Sequence, residues 1–231
     1  MKRLFPLITF CLLLFTSCNS QHTTNTTLEV ADFANGIAQP NIQILDVRTP
    51  NEYQSGHLKN ALLADWNNTT EFEKRAAALD KSKPVYAYCL SGARSNAATE
   101  WLNQHGYKAY NLAGGINAWL KADQPIEQTV PVKQMTLTEF NQMIPLDKTV
   151  LVDFGATWCP PCKAMAPIID SFAKQNNSKW VLIKIDGGDQ TDLANLLKIE
   201  GFPTFIVYKK GKEVWRKQGM VDVHVLTKAI E

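Results

Sequence analysis

The sequence predicts an α/β chain of two successive domains, and three observations predict it. Short apolar runs of strand length alternate with segments of helical period. That alternation occurs twice, once on each side of a polar, proline-bearing break. The length of 231 residues fits two small domains at roughly 100–200 residues per domain.

In the first block, Ile42 to Val47 reads as a buried strand. Thr70 to Leu79 reads as a helix, with Thr70 and Glu73 as its capping box. Val85 to Tyr88 is a second strand. Ser95 to His105 places Ala97, Ala98, Trp101 and Leu102 on one helical face, and Gly106 is its C-cap. Ala109 to Leu112 is a third strand, closed by Gly114 and Gly115. Lys121 to Pro131 holds two prolines and mixed charge and reads as the link between domains. The second block opens with a short helix around Phe140 and Met143. A strand at Val150 to Phe154 leads into a helix from Cys159. Val181 to Ile185 is the next strand and Leu193 to Ile199 the next helix. A hairpin from Phe205 to Tyr208 turns at Lys210-Gly211 into Val214-Trp215, and a helix ends the chain. The blocks differ in motif and order, so this is not an internal repeat.

At 45% hydrophobic and 20% charged, the composition is that of a globular chain and excludes extended disorder. Met1 to Ser20 has a positive start at Lys2 and Arg3, then an apolar stretch from Leu4 to Phe15. That stretch is short of the ~20 residues that span a bilayer and fits an export signal. Phe15-Thr16-Ser17-Cys18 resembles the lipobox of bacterial lipoproteins. The resemblance implies a signal peptide over 1–17, lipidation at Cys18 and a tether over 18–26. It places the protein in the bacterial cell envelope, lipid-anchored and facing the periplasm. Without Lys2 and Arg3, 22 basic residues balance 22 acidic ones, which argues against a nucleic-acid partner. Five cysteines are too few for a disulfide scaffold, and three remain for chemistry: Cys89, Cys159 and Cys162.

Cys89-Leu90-Ser91-Gly92-Ala93-Arg94-Ser95 lies between a strand and a helix. Backbone N–H groups of such a turn, with the helix start behind them, can stabilise a thiolate. Gly92 permits a conformation that a side chain opposes, and Arg94 can offer donors to an anion at the loop mouth. A buried structural cysteine fits the loop alone equally well. The surroundings decide. Leu45-Asp46-Val47-Arg48, Glu52-Tyr53, Gly56-His57-Leu58 and Ala61 resemble the rhodanese signature, and Leu112 to Ile116 with Trp119 resemble its closing segment. The resemblance covers 27–123 and implies a parallel-sheet sulfurtransferase domain. It implies that Cys89 carries a persulfide and that Leu90, Ser91, Gly92, Ala93, Arg94 and Ser95 cradle the transferred sulfur. Thiosulfate or another sulfane-sulfur donor is the implied partner.

Trp158-Cys159-Pro160-Pro161-Cys162 places two thiols one helical turn apart at a helix start. That is the geometry for thiol–disulfide exchange, with the first sulfur exposed and the second more buried. Zinc needs two further ligands, and His22, His57, His105 and His224 show no paired spacing, so no metal or cofactor is expected. Val152 to Cys159, Pro167, Lys184 and Gly201-Phe202-Pro203-Thr204 resemble thioredoxin. The resemblance covers 133–231, leaves 124–132 as linker, and implies a mixed sheet. It implies Cys159 as nucleophile, Cys162 as resolving thiol, Asp153 as the buried acid serving Cys162, and a cis peptide at Pro203. Trp158 shields the pair, and protein disulfides are the implied substrates. Pro160, where the family has Gly, and Gly155, where it has an aromatic, depart from the pattern. A Cys-Pro-Pro-Cys pair in an exported chain is similar to the membrane-tethered reductases of the bacterial envelope, which implies a membrane electron donor. In the alternative reading only the second domain is catalytic, and the first binds a partner or stores sulfur.

Overall fold

The computed structural model describes residues 26–128, 132–175 and 180–231. The leader and Cys18 lie outside the described residues. Residues 26–128 form a parallel sheet from β1 (Thr27–Leu28), β2 (Gln43–Asp46), β3 (Leu62–Leu63), β4 (Val85–Tyr88) and β5 (Ala109–Leu112), in the order β1-β5-β4-β2-β3. All four pairings are parallel. Parallel neighbours need crossovers, and helices supply them: α1 (Val30–Ile37), α2 (Pro50–Gln54), α3 (Thr69–Ala76), α4 (Ala93–Gln104) and α5 (Gly115–Lys121). The strands are apolar on both faces because both are covered. Leu45, Val85 and Ala87 pack with Phe72 and Leu102, while Ile44, Tyr88 and Leu112 pack with Phe33 and Trp119.

The two-residue strands and five-residue α2 are too short to show a period. At α2 the signal is chemical: Thr49 and Glu52 form a capping box, with Pro50 opening the helix. The cap expected at Thr70 and Glu73 is corrected. The Asn68 side chain accepts from the Glu71 N–H, so α3 starts at Thr69. Helix α4 starts at Ala93 rather than Ser95, because Gly92 as N-cap, with φ +97°, turns the chain at once.

The second domain holds α6 (Leu137–Gln142), β6 (Thr149–Gly155), α7 (Pro160–Lys174), β7 (Trp180–Asp186), α8 (Thr191–Leu196), β8 (Thr204–Lys209), β9 (Lys212–Gln218) and α9 (Val223–Ile230). Its sheet order is β7-β6-β8-β9, with β6 and β7 parallel and the β8 pairings antiparallel. Alternation along β6 sorts its side chains. Val150, Val152 and Phe154 pack toward Phe140 and Leu193, and Leu151 packs toward Met165 and Ile169 of α7. Asp153 and Gly155 share the Leu151 face and so look toward α7.

The linker expected over 124–132 is anchored over much of its length. The Trp119 indole donates to the Pro125 carbonyl at 3.0 Å, and His57 and Glu127 exchange backbone hydrogen bonds of 2.9 and 2.7 Å. These contacts hold 124–127 on the first domain, and only 129–131 fall outside the described residues. The domains meet where β3 and α3 face the start of α7. There the Leu63 N–H donates to the Trp158 carbonyl at 2.8 Å.

Candidate active sites

Each domain places sulfur where a strand runs into a helix. Cys89 follows β4 and is a free thiol with 1% exposure. The Gly92 N–H donates to its Sγ at 3.1 Å, and the Ser95 hydroxyl lies 3.4 Å away. Burial, the largest influence, pushes the thiol up. Hydrogen bonds from the Ser95 hydroxyl and from the Ser95, Ser91 and Gly92 backbone outweigh it, leaving the thiol below its ordinary value. Leu90, Ser91 and Ala93 are exposed around the loop, while Gly92 and Ser95 are buried beneath the sulfur.

Sequence reasoning missed the residues that hold this loop. Ser95 Oγ is 2.6 Å from Asn111 Oδ1, and the Asn111 amide donates to Thr27 Oγ1, tying the loop to β5 and β1. The start of α5 takes the loop carbonyls: Ile116 N–H donates to the Cys89 oxygen and Asn117 N–H to the Leu90 oxygen. Gly115 must be glycine there. Its φ is +60°, and a Cβ would sit 2.5 Å from the Cys89 oxygen. The Gly114-Gly115 pair is the available signal, legible in the sequence as a strand end and as part of the rhodanese-like closing segment, but not as a support for the Cys89 loop.

Arg94, expected to offer donors to an anion at the loop mouth, holds Glu52 through two hydrogen bonds of 2.9 and 2.6 Å, a partner the sequence reading did not include. That pairing holds the Glu52 carboxyl down at about 2 against its ordinary 4.5. Glu52 also caps α2, so Arg94 fastens the loop to α2 and the pair carries no net charge.

In the second domain, Cys159 is the N-cap of α7 and is disulfide-bonded to Cys162. Pro160 and Pro161 have no N–H, so the Cys162 N–H is the donor that reaches Cys159 Sγ, at 3.2 Å. The expected order of exposure is reversed: Cys159 is fully buried and Cys162 only partly. Two features account for it. Trp158, Pro160 and Pro161 are packed under the first domain, while Cys162 faces Gly155, where even a Cβ would stop 3.7 Å short of its sulfur. The Phe202–Pro203 peptide is cis and Pro203 is buried. Pro167 lies inside α7. Asp186, also missed, steadies the approach to Cys159 by accepting from the Thr157, Gly188 and Asp189 N–H groups.

Asp153 looks toward α7 from β6. Burial pushes its carboxyl up to about 6, with Lys184 opposing and Asp170 adding to the rise. Lys184 is level with Asp153 in the sheet but is hydrogen-bonded to Asp170 of α7. Below the ordinary value of 3.8 both folded and unfolded chains hold the proton, so Asp153 contributes no difference there. As pH rises to about 6 the folded chain keeps a proton that the unfolded chain gives up, and stability is lost across that window. Asp153→Asn is therefore expected to stabilise the protein at pH 8 by about 2–3 kcal/mol and to change nothing at pH 3. Urea unfolding at the two pH values checks this. An equal effect at both would show that burial of the charge is not the cause.

Comparison with known proteins divides the chain at the same place. A thioredoxin family model matches residues 131–231, and a model described as a rhodanese-like domain matches 29–122. Thioredoxin-2 of Saccharomyces cerevisiae is 48% identical over 73 residues, which are 32% of this chain and 69% of that protein. Thioredoxin Y, chloroplastic, of Oryza sativa subsp. japonica is 39% identical over 103 residues, 44% of this chain and 61% of that protein. The chain thus spans about three-fifths of that relative's length. Among solved structures, a rhodanese-related protein from Thermoplasma volcanium aligns over 45% of this chain and 98% of its own, at 28% identity and a TM-score of 0.41.

Proposed function

The chain belongs to the thioredoxin family, with a rhodanese-like domain fused ahead of it, and from that premise we propose an exported, lipid-anchored enzyme of two sulfur chemistries. The second domain is a thiol–disulfide oxidoreductase acting as a reductase. The Cys159 thiolate attacks one sulfur of a protein disulfide and expels the other as a thiolate. The Cys162 thiol passes its proton to the Asp153 carboxylate and attacks Cys159 Sγ. The substrate leaves as a dithiol and the Cys159–Cys162 disulfide remains, to be reduced again by a membrane dithiol donor. The two prolines support the reductase direction. Among the described residues the Cys162 N–H is the donor at Cys159 Sγ, and a thiolate with so few donors is weakly stabilised, which favours the disulfide form of the pair.

The first domain transfers sulfane sulfur. The Cys89 thiolate attacks the outer sulfur of thiosulfate and releases sulfite, and an acceptor thiolate or cyanide then takes that sulfur from the persulfide. The observation that carries the proposal is the buried Cys89 sulfur at a strand-to-helix turn with the Gly92 N–H and the Ser95 hydroxyl directed at it, an arrangement that lowers its thiol. With Arg94 committed to Glu52, those donors are what an anionic substrate meets. Thiocyanate formation from thiosulfate and cyanide, and dithiol-driven reduction of insulin, test the two halves. No thiocyanate from a protein that reduces insulin would leave the first domain as a binding module. For the anchor, Cys18→Ala is expected to move the protein from the detergent phase to the aqueous phase in a phase-separation assay. Persistence in the detergent phase would point to an uncleaved leader instead.

A further inference from the structure

The first domain covers the part of the second that a disulfide reductase presents to its substrate. Ala64 N–H donates to the Asp46 carbonyl within the sheet, so the preceding Leu63 N–H faces outward, and it is this group that meets the Trp158 carbonyl at 2.8 Å. Arg75, from α3, closes the arrangement. It donates to the Leu63 carbonyl at 3.1 Å, and its guanidinium carbon lies 5.1 Å from the centre of the Trp158 ring. Tyr53 adjoins the same indole at 6.2 Å, and Phe202, beside the cis proline, completes its surroundings at 5.7 Å. Cys159 has no exposed surface beneath this contact.

We infer that β3 and α3 of the first domain are a docking surface for the Trp158–Pro161 lip of the second, and that the docked lip is closed to protein disulfides until the contact opens. The inference rests on the redox reading of the cysteine pair and adds what controls access to it. An edge strand offers unpaired backbone groups that invite a partner, and here the invited partner is the reactive lip of the same chain. The polar ties at this contact, a backbone hydrogen bond and a cation–π contact, are each weak, and the rest is packing of Trp158, Pro160 and Pro161, so the contact can break and re-form. A large substrate must displace β3 before it reaches Cys159, whereas a small disulfide has less to displace.

Full-length Arg75→Ala and Arg75→Lys test this. Arg75 is outside the redox machinery, and lysine keeps the charge but not the guanidinium fork that reaches both the Leu63 carbonyl and Trp158. Three quantities are read: the rate at which a bulky polyethylene-glycol maleimide alkylates Cys159 in the reduced protein, insulin reduction, and reduction of 5,5′-dithiobis(2-nitrobenzoate). In Arg75→Ala, alkylation and insulin reduction are expected to rise by about fivefold or more, the factor that roughly 1 kcal/mol supplies. The small disulfide is expected to change by less than about twofold on the same scale, with Arg75→Lys intermediate throughout. Hydrogen exchange at the Leu63 amide of the unaltered protein needs no variant and is expected to show protection. An unprotected Leu63 amide, or Cys159 alkylation unchanged in Arg75→Ala, overturns the inference. Failure of every protein to reduce either disulfide defeats the redox reading instead, and the alkylation ratio still decides the docking.

Discussion

Cys159→Ser is expected to abolish insulin reduction while leaving thiosulfate sulfur transfer intact, and Cys89→Ala to do the reverse. A serine hydroxyl is not ionised at neutral pH, so the attack on a disulfide is lost, and activity should fall by about three orders of magnitude or more. The substitution is mild for the fold. Cys159 is the N-cap of α7 and accepts from the Cys162 N–H, and serine is a preferred residue for that role. A lost activity with the melting temperature of the reduced, unaltered protein, which likewise lacks the Cys159–Cys162 bond, therefore reports chemistry rather than unfolding. Cys89→Ala removes the free thiol from a cradle held by Ser95, Gly92, Asn111 and Gly115, all of which stay in place. Sulfur transfer by Cys89→Ala, or insulin reduction by Cys159→Ser, would refute the assignment of that site.

Asp46→Ala is expected to destabilise the first domain by about 3–5 kcal/mol, the cost of leaving a buried charge without its partner. Asp46 is fully buried and Arg48 is 3% exposed. Arg48 Nε contacts both Asp46 oxygens at 3.0 Å, and its Nη2 donates to one of them at 2.7 Å. Nη2 also donates to the Gly56 carbonyl, and the guanidinium lies over the Tyr88 ring. Alanine leaves the guanidinium in place with nothing to neutralise it. Denaturant unfolding followed by a first-domain signal measures the loss, and the double variant Asp46→Ala, Arg48→Met should recover much of it. A loss below about 1 kcal/mol, typical of an exposed pair, would show that water reaches the site.

Much of both sites was legible because each is written in a short stretch of chain. Cys89 to Ser95 makes its own cradle within seven residues, and Trp158 to Cys162 spans one helical turn. The long strands were legible from their apolar runs. The three short elements β1, β3 and α2 of the first domain were not, since two to five residues display no period.

What the sequence by itself supplied is the candidate chemistry: three cysteines in two short motifs, the two domains that hold them, and Asp153 on β6. For Cys89 the loop residues alone left a structural cysteine equally open, and the resemblance of the surrounding segments to rhodanese decided between them. What only the tertiary structure decided is how those groups are engaged. Arg94 is committed to Glu52, 42 positions away, Ser95 to Asn111 across the sheet, and Trp158 to Leu63 and Arg75 of the other domain. These partners meet through the strand order β4-β2-β3 and the docking of α7, and nothing in the spacing of the residues encodes them. The burial of Cys159 has the same origin, since it depends on which surface lies against the lip and not on the lip's own residues.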